Sequence, residues 1–170
     1  FRSFDSKEHQ NRTIFENFQK SSFCDGDELW HLGDVAIEVD NWFIEKMADL
    51  RLKYPHSKFH LIIGNYDVEH IDILSTFFDT VQNDVVLNLK GYSVYLNHYP
   101  VNCRKQYNNE IDTDKSFSIT GHIHGLWKVQ PGMINVGVDA WHFNPVSEDE
   151  ILFCYNAMQN HYDQNVFPWK

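Results

Sequence analysis

The chain contains no apolar run near the ~20 residues that a membrane span requires. Its longest apolar stretches, "HLII" and "DVVLNL", are short, so no membrane is expected among its partners. Cysteine is scarce: Cys24, Cys103 and Cys154 are odd in number, widely spaced and without a CxxC pair. That is neither a disulfide framework nor a thiolate zinc site, and a reducing, cytoplasmic setting is expected. Basic residues are few, 14 Lys and Arg against 24 Asp and Glu, for a net charge of −10. Duplex binders replace counterions with cationic side chains, so nucleic acid is disfavoured as a partner, although a local groove could override the average. A small phosphorylated substrate remains compatible, because a bound divalent cation dominates its local field. Internal repeats, low-complexity stretches and Gly/Ser linkers are missing, and no secretory signal is visible within the 170 residues. The chain, which opens on Phe1, is read as one domain over 1–170.

What is present is a foldable core: 42% hydrophobic and 15% aromatic residues over 170 positions. Ten histidines join the carboxylate excess, a composition suited to a metalloenzyme. Apolar spacing predicts helices over 7–20, with Ser6 at its start, over 39–54, stopped by Pro55, and over 68–78. Strands are predicted in 27–34 and 58–64, in a hairpin around Lys90-Gly91 within 84–100, and at 116–121, 133–138 and 150–155. Residues 156–170 have no clear period and read as a surface tail. Helices and strands alternate first, then strands dominate. The expected fold class is α/β, with two packed mixed β-sheets flanked by helices.

Several of these strands end in metal-capable side chains. "HLGD" ends in Asp34, "IIGNYD" carries Asn65 and Asp67, "YLNHYP" carries His98, and "TGHIHG" carries His122 and His124. Were 118–127 extended, the imidazoles of His122 and His124 would leave one face together. Open α/β sheets place ligands beyond the carboxyl ends of their strands. Imidazole, carboxylate and amide oxygen suit divalent ions such as Mn²⁺, Zn²⁺ or Fe²⁺. Each motif alone also reads as a turn or a buried histidine. It is the ordered series that points to a site.

That series resembles the calcineurin-like metallophosphoesterases, whose pattern runs DxH, GDxx, GNHD, a lone His, then GHxH. The resemblance covers 33–139, and "INVGVDAW" is similar to the smaller single-domain members. It implies an αββα sandwich and a divalent-metal phosphoesterase that hydrolyses phosphodiesters, the favoured class, or small phosphorylated compounds. One ion would take Asp34, Asn65, His98 and His122. A second would take Asp34 and His124 together with a leading DxH. Mn²⁺ is favoured, with Zn²⁺, Fe²⁺ or Ni²⁺ as alternatives, at one or two ions per chain. The implied chemistry is in-line attack on phosphorus by a metal-activated hydroxide.

Two departures qualify the resemblance. The leading DxH is absent, since Asp5 and His9 are four apart and precede a helix. Either the chain begins after the family's first strand, which is the favoured explanation, or it carries one full site and one half site. Tyr66 stands where many members have a histidine that assists the leaving group. Phenols titrate near ~10, poorly matched to general-acid work at neutral pH, while Asp67 would keep at least an anchoring role in the turn. Tyr66 and Asp67 join Asp34 and Asn65 as candidate catalytic residues. Arg104 and Lys105 are candidate phosphate contacts, or a solvated basic pair. Tyr99, Trp127 and Trp141 could stack a base or belong to the core. The alternative function is a catalytically impaired binding or scaffold protein of the same fold. Oligomeric state is left open.

Overall fold

Ser6 opens the first helix by accepting a hydrogen bond from the His9 amide at 3.1 Å, and α1 (Lys7–Lys20) follows over the expected residues. The computed structural model of the chain describes residues 4–102 and 115–161. Next come β1 (Glu28–His31), α2 (Asn41–Lys53) and β2 (Lys58–Ile62), in the expected order. Asp40 caps α2 through the Phe43 amide at 2.8 Å, and Phe43, Met47 and Leu50 form its buried side. A 3₁₀ turn (Val68–His70) and the single-turn α3 (Ile71–Leu74) lead to β3 (Thr80–Gln82). The hairpin is β4 (Asp84–Leu89) and β5 (Tyr92–Asn97), turned by Lys90 and Gly91, both at positive φ. Then follow β6 (Ser116–Thr120), β7 (Val129–Gln130), β8 (Met133–Asn135), a second 3₁₀ turn (Val138–Trp141) and α4 (Glu148–His161).

The strands form two sheets, β1-β2-β3 and β4-β5-β6-β8-β7. The larger is mixed: β5, β6 and β8 run parallel, and β4 and β7 pair antiparallel at its edges. The smaller is parallel throughout rather than mixed, because a crossover through α2 brings β2 back in the direction of β1. One apolar cluster packs α1 and α2 on the small sheet through Phe18, Phe43, Met47, Leu50 and Phe59. The other packs the large sheet against α4 through Phe117, Ile134, Ile151, Leu152 and Tyr155. Leu32 and Ile62, at the ends of β1 and β2, belong to this second cluster and so join the sheets. No helix among the described residues is long and apolar enough to cross a membrane.

Four expectations need correction. The strand predicted at 150–155 and the start of the predicted tail are one helix, α4, through His161. Ser147 and Glu150 form a reciprocal capping box, with Glu150 accepting from the Ser147 amide at 2.9 Å and Ser147 Oγ accepting from the Glu150 amide at 3.3 Å. Ile151, Leu152 and Tyr155 then bury one helical face. The helix predicted over 68–78 is confined to the two short turns, since Ser75 and Thr76 donate their hydroxyls back to the Asp72 and Ile73 carbonyls. The strand predicted over 133–138 stops at Asn135. Residues 122–125 are a turn rather than an extended run, with His122 at φ 64° and His124 at φ 51°. The two imidazoles therefore do not leave one face as a pair.

Candidate metal centre

The loops after β1 and β2 are built around one buried carboxylate. Asp67, fully buried, accepts from the amides of Asp34 at 2.8 Å, Val35 at 2.9 Å and Gly64 at 2.8 Å. A carboxylate with three such donors pins both loops without a hydrophobic contact. Asp34 itself sits at φ 55°, and its Oδ1 accepts from the Tyr66 amide at 3.0 Å. Glycine is required at both loop starts. A Cβ on Gly33 would lie 2.4 Å from His98 Nδ1, and one on Gly64 would lie 2.4 Å from the Asp34 nitrogen. The backbones of the small sheet thus form a cradle for a histidine of the large one.

His98 follows β5 and is buried in that cradle. The Thr120 hydroxyl and the Gly121 amide both donate to its carbonyl, at 3.0 and 3.1 Å, so the ends of β5 and β6 are tied together. His98 Nδ1 lies 2.7 Å from the Leu32 carbonyl oxygen. A carbonyl only accepts, so Nδ1 carries the hydrogen and Nε2 of the neutral ring bears a lone pair. Around Nε2 stand His122 Nδ1 at 3.1 Å, Asn65 Oδ1 at 3.2 Å and Asp34 Oδ2 at 3.4 Å. One hydrogen on His122 could satisfy one of these contacts, and the remaining lone pairs would still face each other. A divalent cation resolves that arrangement, and two nitrogens with two oxygens suit it. The donor atoms of Asp34, His98 and His122 lie within 4.8 Å of one another, the one such group of His, Cys, Asp or Glu among the described residues. The residues present fit a metal ion.

The structure therefore gathers Asp34, Asn65, His98 and His122, two from each sheet. His124 stands outside that group, with its Nδ1 3.0 Å from Asp139 Oδ2. Tyr66 is exposed at the rim, and only its backbone reaches Asp34. Tyr99 is also exposed and stands edge-on to His122, ring centroids 4.8 Å apart. Trp141 is core, donating its indole N–H to the Asn135 carbonyl at 2.7 Å, and is not placed to stack a base. Asp5 and His9 form an exposed pair 3.6 Å apart at the start of α1. Arg104 and Lys105 lie outside the described residues.

Sequence reasoning missed three residues around this centre. His31, on β1, is close enough to feel the charges of Asp67 and Asp34, and its Nδ1 is buried without a hydrogen-bond partner among the described residues. Burial pushes its pKa below the ordinary 6.5, with those two carboxylates opposing the shift. Asn135, fully buried, donates to the carbonyls of His124 at 2.6 Å and Trp127 at 2.7 Å. Asp139 reaches His124 only through the 3₁₀ turn after β8. A short "NVGVD" string carries no spacing signal for that contact.

A family model for the calcineurin-like phosphoesterase superfamily domain matches residues 6–148. No curated protein matches the chain. Among solved structures, a protein of unknown function from Aquifex aeolicus, AQ665, is similar in fold, with a TM-score of 0.66 and 24% identity over 87% of this chain and 86% of that one. The ordered motifs, the packed sheets, the donor set at their seam and the matched domain agree: the chain belongs to the calcineurin-like phosphoesterase superfamily.

Proposed function

We propose that this protein is a Mn²⁺-dependent phosphodiesterase acting on small esters with good leaving groups. Membership of the superfamily supports metal-dependent phosphoester hydrolysis in general. The finer reading rests on one observation. The four donors Asp34, Asn65, His98 and His122 converge, while the neighbouring rim position carries the exposed phenol of Tyr66 instead of an imidazole. A divalent ion held there would supply Lewis-acid charge and lower the pKa of a water. Asp34 is divided between two tasks: Oδ1 is held by the Tyr66 amide, and Oδ2 faces His98 Nε2. Asp67 keeps both loops in register from below. Tyr66 can donate a hydrogen bond to a phosphoryl or leaving oxygen, but a phenol is a weak general acid near neutrality. Esters whose leaving group departs without a proton fit that machinery best. Arg104 and Lys105 remain the proposed contacts for a non-bridging phosphate oxygen. The odd number and wide spacing of Cys24, Cys103 and Cys154 support a reducing, cytoplasmic setting.

The test is turnover of Mn²⁺-loaded protein on bis(p-nitrophenyl) phosphate, p-nitrophenyl phosphate and an alkyl phosphodiester. The expected order is aryl diester first, by about tenfold or more in kcat/KM, with the alkyl diester slow. Tyr66→His should raise alkyl turnover by about tenfold or more, since a placed general acid contributes ~10²–10⁴-fold. A preference for the monoester would sink the diesterase reading. Metal binding without turnover of any ester would favour a binding module.

A further inference from the structure

His124 sits in a backbone conformation that non-glycine residues rarely adopt, φ 51°, and the segment after β8 holds it there. Asn135 uses its amide hydrogens on the His124 and Trp127 carbonyls, at 2.6 and 2.7 Å, and its Oδ1 on the Gly137 amide at 2.9 Å. The main chain then turns through Val138–Trp141 and delivers Asp139, whose largely buried carboxylate meets His124 Nδ1 at 3.0 Å. A carboxylate only accepts, so it selects the ring form with hydrogen on Nδ1 and the lone pair on Nε2. His122, two residues earlier, meets the donor group through its Nδ1. Both histidines of one short turn thus engage Nδ1, His122 toward the donor group and His124 toward Asp139.

We propose that Asp139 is a positioning residue that fixes His124 as its Nδ1–H form, leaving the lone pair on Nε2 for the ligand role that the family resemblance implies for His124. This rests on the metal-dependent reading given above. Without the carboxylate the Nδ1–H form loses its acceptor, which weakens the preference that keeps the lone pair on Nε2. Carboxylate partners of ligating histidines commonly contribute about 10–100-fold in metal affinity.

The test needs no turnover. Nitrogen-15 NMR of EDTA-treated protein, with the His124 signals identified by their loss in His124→Gln, reads the hydrogen's position directly. Wild-type protein should show Nδ1–H at His124. Asp139→Ala should shift it toward Nε2–H, and Asp139→Asn, which keeps an acceptor oxygen, should retain Nδ1–H. Mn²⁺ titration should show affinity at one binding event falling about 10–100-fold in Asp139→Ala. His124→Gln should show the same loss, with no further loss in the double variant. Thermal melts of the metal-free variants identify any that fail to fold, and Asp139→Asn then carries the comparison. Nε2–H in the wild type would overturn the proposal, as would wild-type Mn²⁺ affinity in Asp139→Ala with Mn²⁺ bound normally otherwise. Wild-type protein that binds no Mn²⁺ would overturn the metal-dependent reading and the ligand role together.

Discussion

Asp67 shows how much a single buried side chain can hold. Its carboxylate accepts the amides of Asp34, Val35 and Gly64 from two different loops. Asp67→Asn keeps the shape but offers one acceptor oxygen and turns an NH₂ toward amide donors. Hydrogen bonds to charged groups contribute about 1.5–3 kcal/mol each, and unsatisfied buried donors cost about 1–3 kcal/mol. The expected loss, read by urea unfolding of metal-free protein, is about 2–4 kcal/mol, and Mn²⁺ affinity should fall with it because Asp34 loses its seat. A second residue contributes to the pH dependence of stability. His60 stacks on Trp30 at 4.1 Å, bonds Thr80 through Nδ1, and buries Nε2 without a hydrogen-bond partner among the described residues. Burial lowers its pKa below 6.5, with Glu28 and Asp79 opposing. Well above pH 6.5 the ring is neutral folded or unfolded, so it adds no pH dependence there. Below 6.5 the unfolded chain takes the proton more readily, and stability falls as pH drops toward the folded pKa. His60→Phe should flatten the Tm-versus-pH curve below 6.5 in EDTA, and an unchanged slope would count against this origin.

Among the elements, α4 depends on its first turn. Ser147→Ala removes both the hydroxyl that accepts from the Glu150 amide and the contact to the Glu150 carboxylate at 2.8 Å. The expected cost is about 1 kcal/mol, measured as a lower urea midpoint with unchanged slope. The same helix marks where sequence reading failed. "EILFCY" is a short apolar run that periodicity alone cannot divide between strand and helix. The Ser147-x-x-Glu150 capping box at its start decides it, a signal that apolar periodicity does not contain. Helices α1 and α2 were legible because Phe18 in one and Phe43, Met47 and Leu50 in the other lie at helical spacing behind capping side chains, Ser6 and Asp40. The site was legible to the same degree. Asp34, Asn65, His98 and His122 each follow a strand, and strand ends share one edge. What the sequence could not carry was contact between turns: Asp139 to His124, and His31 beneath the centre, depend on how two loops fold over each other. The paired-face reading of His122 and His124 failed for the same reason, since Asn135 imposes a left-handed turn no local pattern reports.

Across the whole molecule, the donor group is a bridge. Asp34 and Asn65 follow strands of the small sheet, and His98 and His122 follow strands of the large one. An ion held by all four should staple the sheets and stabilise the fold. At a hundred times its Kd it adds about 2.7 kcal/mol, or roughly 5–10 °C in Tm at this size. Scanning calorimetry with Mn²⁺, then with excess EDTA, should show the rise and its reversal. Asp34→Asn should show neither. The two sheets also divide the chain in time. The small sheet is drawn from residues 28–82 and the large one from 84–135. During synthesis the first half emerges with its own apolar cluster, while Leu32 and Ile62 wait for strands not yet made. His122 is the last of the four donors to leave the ribosome. Retention of metal by a nascent chain therefore reports that both halves have docked, and a chain stalled before that point is released with its grip incomplete.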